Sequence, residues 1–145
     1  QDSPLLACDA AQVCRLQLDP PYALPPGTRL AVAGTPWLLR AGRPRQADDD
    51  AGCEAFCARP HPRTALGLSA DGATLYLLLA EGRRAGVPGL SLAATAEQLR
   101  RLGAHEGINL DGGGSSALLL RGEWVMRRPD KEPALRRLAN ALLVQ

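Results

Sequence analysis

The segment Ser91-Leu92-Ala93-Ala94-Thr95-Ala96-Glu97-Gln98-Leu99-Arg100-Arg101-Leu102-Gly103 decides the fold. Leu92, Ala96, Leu99 and Leu102 recur at helical spacing and form one apolar stripe. Ser91 suits the N-cap, and Gly103 suits the left-handed residue that ends a helix. The pattern predicts a helix over Leu92 to Leu102. Upstream, Thr74 to Ala80 contains Leu75-Tyr76-Leu77-Leu78-Leu79, apolar on both faces, which predicts a central strand covered on both sides. Downstream, Ile108-Asn109-Leu110-Asp111 alternates and predicts a buried strand with Asp111 at its end. The result is a strand-helix-strand unit, whose right-handed crossover makes the two strands parallel.

Working outward, Asp71-Gly72 joins Thr64 to Leu68 with Thr74 to Ala80 as a hairpin, and Arg121-Gly122 joins Ser116 to Leu120 with Glu123 to Met126 as another. Two short strands are expected at Arg29 to Ala33 and Trp37 to Arg40. Residues 1–27 are proline-rich and read as an irregular arm with one short strand at Val13 to Leu18. From Arg136 to Leu143 propensity favours helix. The fold class is α+β: a mixed β-sheet with one main helix in a strand-helix-strand unit, plus β-hairpins.

After Asp111 come Gly112, Gly113, Gly114, Ser115 and Ser116. Three glycines in succession suit backbone at positive φ or in close approach to a neighbour. Free N–H groups in such a turn can form a concave anion site, and the serine hydroxyls add donors. The bland alternative is a strand-to-strand turn in which Asp111 caps the loop backbone. The string is not a phosphate-binding loop of the Gly-Lys-Ser/Thr type, and it lacks the second glycine of a nucleophile elbow.

The chain has 145 residues, 46% hydrophobic, which suits one domain over 1–145 with one core. A net charge of +2 without a basic and aromatic surface pattern gives no case for a nucleic-acid partner. No apolar stretch is long enough to span a bilayer, so no membrane span is expected. Arginines dominate the cations, with Lys131 the sole lysine; they suit bidentate phosphate contacts, and compositional bias is the rival account. Cys8, Cys14, Cys53 and Cys57 suggest two local disulfides in an oxidising compartment, against a four-thiolate zinc site. The triplet Asp48-Asp49-Asp50 lacks the spaced ligands of a calcium loop. No metal or other cofactor is expected. A chain beginning at Gln1 without methionine fits a mature secreted protein or a shortened one.

At Asn109 to Ser116 the chain resembles the phosphodiester glycosidase family. His61-Pro62-Arg63-Thr64-Ala65-Leu66-Gly67 is similar to that family's Pro-Arg-Thr-Ala segment, and Glu81-Gly82-Arg83 stands where it has Asp-Gly-Arg. Gly89-Leu90-Ser91-Leu92 resembles the opening of its helix, and Asn140-Ala141-Leu142-Leu143-Val144 its closing strand, which places a strand at Ala139 to Val144. The similarity spans Arg29 to Val144. It implies the C-terminal portion of the family domain, because the Asn-Gly-Gly-Phe-Phe motif of the preceding half does not occur; Phe56 is the sole phenylalanine.

The resemblance implies a hydrolase that cleaves a sugar 1-phosphodiester at the anomeric C–O bond, secreted or periplasmic. The alternatives are a non-catalytic glycan-phosphate-binding remnant, or one half of a two-chain enzyme whose partner chain supplies the missing half. The topology gathers the start of the Arg63 strand with the ends of the strands leading to Glu81 and Asp111, or else forms an ordinary rim of salt bridges. Asp111, Glu81 and Arg63 are the catalytic candidates. Thr64, Arg83, Asn109, Gly112, Gly113, Gly114, Ser115 and Ser116 are the substrate-binding candidates. His61 can donate a proton near neutral pH or be a plain loop residue.

Overall fold

The computed structural model describes residues 3–132, 134–138 and 141–143. Among them the elements run β1 (Leu5–Asp9), β2 (Cys14–Gln17), β3 (Thr28–Ala33), β4 (Trp37–Arg40), β5 (Arg43–Pro44), α1 (Glu54–Cys57), β6 (Arg63–Leu68), β7 (Leu75–Ala80), α2 (Leu92–Leu102), β8 (Glu106–Asn109), β9 (Leu119–Leu120) and β10 (Glu123–Trp124). A five-stranded sheet in the order β5-β4-β8-β6-β7 is the centre. β6 runs antiparallel to both β7 and β8, so those two are parallel to each other and joined through α2, as expected.

Helix α2 has the expected boundaries. The Ser91 hydroxyl accepts from the Ala94 amide, and Gly103 closes the helix at φ 105°. Its buried face is Leu92, Thr95, Ala96 and Leu99, which meet Leu38, Leu39, Ala65 and Ala104 of the sheet side. Leu102 is not part of that face: it is 53% exposed. Thr95 takes a buried place because its hydroxyl is satisfied, donating to the Ser91 carbonyl at 2.7 Å. The opposite face of the sheet is covered by a second, three-stranded sheet, β2-β1-β3. There Leu6, Cys8, Leu16 and Leu18 bury Leu66, Leu68 and Ile108. The domain is therefore three layers, helix on sheet on sheet.

Three expectations need correction. β7 is an edge strand, not a central one, and Leu77 is 42% exposed. Its apolar run reads as doubly covered, but α2 shelters only Tyr76 and Leu78 on one side of the pleat. The arm 1–27 carries two strands rather than one short one. Its turn is held by Asp9, whose carboxylate accepts from the amides of Ala11 and Val13, and by the Cys8–Cys14 disulfide. The hairpin after the glycine loop is shorter than expected, two residues to a strand. Of the closing strand, Ala139, Asn140 and Val144 lie outside the described residues, and Ala141 to Leu143 form no strand. The second disulfide is Cys53–Cys57, so both pairings are local. No helix among the described residues is long and apolar enough to cross a membrane.

Candidate active site

The register of the central sheet assembles one edge. Arg63 lies opposite Ala80 of β7, and Ala65 lies opposite Asn109 of β8. Glu81, next after Ala80, and Asp111, two residues beyond Asn109, therefore flank the start of β6 on either side. Two strand spacings separate their backbones, about 10 Å. Asp111 keeps its side chain 77% exposed and opens onto a cavity of about 450 Å³. Thr35, Phe56, Asn109 and Gly112 also line it. Asn109 is 2% exposed; its Nδ2 donates to the Thr35 carbonyl at 2.9 Å, while its Oδ1 has no partner among the described residues. Glu81 shares the edge but not the cavity wall. Its Oε2 accepts from Arg84 at 2.6 Å, and its Oε1 accepts from the Arg127 amide at 2.7 Å.

Beyond Asp111 the chain coils into a single 3-10 turn over Gly113–Ser115. Its compactness explains two of the glycines. A Cβ on Gly112 would stand 2.7 Å from the Pro62 carbonyl oxygen, and Gly113 adopts φ 57° against the Arg83 guanidinium. The turn does not offer the array of free amides that the sequence suggests. The N–H groups of Gly113, Ser115 and Ser116 donate to the carbonyls of Pro62, Gly112 and Gly113. The donors around it are side chains instead. Arg136 reaches the Ser115 hydroxyl through Nε at 2.9 Å and Asp111 through Nη2 at 3.4 Å. Arg128 donates to the carbonyls of Gly114 and Ser116, at 2.7 and 2.9 Å. Ser116 is buried and bonded to the Thr64 hydroxyl at 3.0 Å, tying the loop to β6.

Arg63 is shut away from solvent. Its Nε donates to the Leu90 carbonyl, its Nη2 to the carbonyls of Phe56 and Arg59, and its Nη1 has no partner among the described residues. The guanidinium sits 4.6 Å from the centre of the Phe56 ring. Burial pulls its pKa down to about 10, with Arg83 adding repulsion, so it stays cationic at neutral pH. His61 accepts from Arg83 Nε through Nδ1 at 3.3 Å, and burial followed by the charges of Arg83, Arg63 and Arg59 lowers its pKa. A neutral imidazole results. Arg83 also pairs with Glu132 at 3.0 Å, which ties the segment after β7 to the one after β10.

A family model described as phosphodiester glycosidase matches residues 5–145. The chain belongs to that family. No curated protein matches it in sequence. Solved structures of similar fold include the zebrafish N-acetylglucosamine-1-phosphodiester alpha-N-acetylglucosaminidase catalytic domain, auto-inhibited by its pro-peptide. That match has a TM-score of 0.70 at 21% identity and covers 92% of this chain and 49% of that one. A hypothetical protein from Synechocystis matches with a TM-score of 0.55 at 23% identity, over 89% of this chain and 32% of that one. A putative exported protein from Burkholderia pseudomallei matches with a TM-score of 0.59 at 32% identity, over 77% and 25%. The chain thus spans about half or less of the length of each.

Three side chains of this phosphodiester glycosidase domain escape the sequence reading: Phe56, Arg128 and Arg136. The arginine pairs Arg127-Arg128 and Arg136-Arg137, so soon after the glycine loop, are the signal that compositional bias masks. For Phe56 the signal is a lone aromatic between two cysteines, Cys53 and Cys57.

Proposed function

We propose that this domain hydrolyses a sugar 1-phosphodiester at the anomeric C–O bond, in an extracytoplasmic setting. The observation that carries the reading is the position of Asp111: it lines the cavity, and its carboxylate accepts from Arg136, which also bonds the Ser115 hydroxyl. Breaking the anomeric bond develops positive charge on the sugar and negative charge on the departing phosphate. A carboxylate on the sugar side can stabilise the oxocarbenium-like centre, attack it, or activate water. A guanidinium and a hydroxyl on the other side can hold the phosphate as its charge grows. Phosphate leaves readily, so protonation by a general acid matters less than for an alkyl glycoside.

In this reading Asp111 is the catalytic carboxylate, and Arg136 and Ser115 contact the phosphate. Gly112, Gly113 and Gly114 let the loop lie close to it. Glu81, whose two oxygens are both engaged, braces Arg84 and the Arg127 amide. Arg63, Arg83, Thr64 and Ser116 hold β6, the loop and the Phe56 segment in place. The two disulfides support an oxidising compartment. A second reading, a glycan-phosphate-binding module or one half of a two-chain enzyme, draws on the 49% coverage of the zebrafish chain.

The test is hydrolysis of an N-acetylglucosamine 1-phosphodiester in [¹⁸O]water. Label in the released sugar is the expected result; label in the phosphate means P–O cleavage and overturns the mechanism. Asp111→Asn, which keeps shape and removes charge, should lower kcat by about a hundredfold or more. Tight binding without turnover by the unaltered chain would favour the binding module.

A further inference from the structure

The cavity beside Asp111 has a chemical polarity that the glycine loop lacks. Asn109 Oδ1 is a buried acceptor without a partner among the described residues, on a side chain whose amide nitrogen is already committed to the Thr35 carbonyl. An acceptor left unmade in the interior is costly, and a ligand that reaches it with a donor can satisfy it. A phosphodiester anion has no donor to give. Sugar hydroxyls and acetamido N–H groups do. Asp111, on the same wall, is a second acceptor.

The other feature is Phe56. It is a large apolar side chain left 47% exposed at the cavity, yet held firmly. Its helix α1 is closed by the Cys53–Cys57 disulfide, and the preceding turn is pinned by the buried Arg45–Asp50 ion pair at 2.7 Å. Its carbonyl is gripped by Arg63. The ring lies 4.6 Å from the Arg63 guanidinium and 6.0 Å from the His61 ring, and its exposed remainder suits the apolar C–H face of a pyranose ring. The cavity's volume of about 450 Å³ is of small-ligand size.

We propose that this cavity is the sugar subsite, with Phe56 as the stacking platform and Asn109 Oδ1 as the acceptor for a sugar O–H or N–H. The phosphate then lies on the opposite side of Asp111, against Arg136 and Ser115. The assignment rests on the glycosidase reading but makes a claim of its own: sugar and phosphate have separate, independently breakable sites.

The experiment titrates the oxidised full chain with methyl α-hexopyranosides, bearing either hydroxyl or acetamido at C2, and separately with inorganic phosphate, followed by ¹⁵N NMR. A glycoside should shift the Asn109 side-chain amide and the Thr35 amide, and phosphate should shift the Ser115 amide. Phe56→Ala should weaken glycoside binding about tenfold and leave phosphate binding unchanged, while Phe56→Trp restores it. Arg136→Ala should do the reverse. Should Phe56→Ala fail to fold, Phe56→Leu, which keeps bulk without an aromatic face, gives the same comparison. Glycosides that perturb only the glycine loop, a Phe56 variant that weakens phosphate equally, or no glycoside binding at all would each overturn the assignment. Glycoside binding at Phe56 in a chain that leaves the N-acetylglucosamine 1-phosphodiester intact would sink the catalytic reading alone.

Discussion

Arg63 shows how a residue's role depends on what surrounds it. The sequence, through the family resemblance, marks it as a catalytic candidate at the start of a strand. In the fold it is fully buried and ties together three carbonyls, those of Phe56, Arg59 and Leu90. A lysine ammonium keeps the charge but lacks the planar fork that serves these acceptors together. Arg63→Lys should therefore destabilise the domain by about 1–3 kcal/mol, read from chemical unfolding, because buried acceptors lose donors. Unchanged stability with lost turnover would point instead to direct contact with the substrate. His61 gives a pH prediction. Its folded pKa lies below the ordinary 6.5, burial being the largest cause. Above pH 6.5 both states are neutral and the group contributes nothing. As pH falls through 6.5 the unfolded chain takes up a proton that the fold resists, so stability is lost until the folded group also titrates. His61→Asn should flatten that loss, seen as a smaller drop in urea midpoint between about pH 7 and about pH 5.5.

At the scale of elements, local chemistry was the readable part. Helix α2 carries its stripe, cap and terminator within one short segment, and its boundaries follow from them. Ser91→Ala removes the acceptor for the Ala94 amide and should cost about 1 kcal/mol, measurable as a lowered Tm; no change would mean water replaces the cap. The strand leading to Asp111 was legible from its alternation, although it runs Glu106–Asn109 and stops two residues short of Asp111; so was the register logic that brings Glu81 and Asp111 to one edge. β7 was not, because an apolar run does not reveal whether a neighbour exists beyond it. Nor were the hydrogen bonds of the glycine turn, since whether its amides face a ligand or fold back on Pro62 depends on the path of β6. The arginines that replace those amides come from a segment with no regular structure, where no periodicity announces them.

For the whole molecule, the segment expected to be an irregular arm builds part of the core and leads into the cavity wall. The sequence presents residues 1–27 as a proline-rich arm. In the structure Leu6 is fully buried against Leu66 and Ile108, and the sheet it belongs to covers one face of the central sheet. The same sheet leads through β3 into Ala33, Gly34 and Thr35, which wall the cavity and meet Asn109. Core, cavity and arm should therefore respond together. Leu6→Ala is expected to cost about 2–5 kcal/mol, as for other leucines truncated in a closed core. Removal of residues 1–18 should leave a chain that binds an apolar dye and melts without a cooperative transition, because Leu66, Leu68 and Ile108 lose their cover. Calorimetry of the shortened chain decides the matter. A sharp transition close to that of the full chain would mean that helix and central sheet are stable alone, and that the second sheet serves the cavity without serving the core.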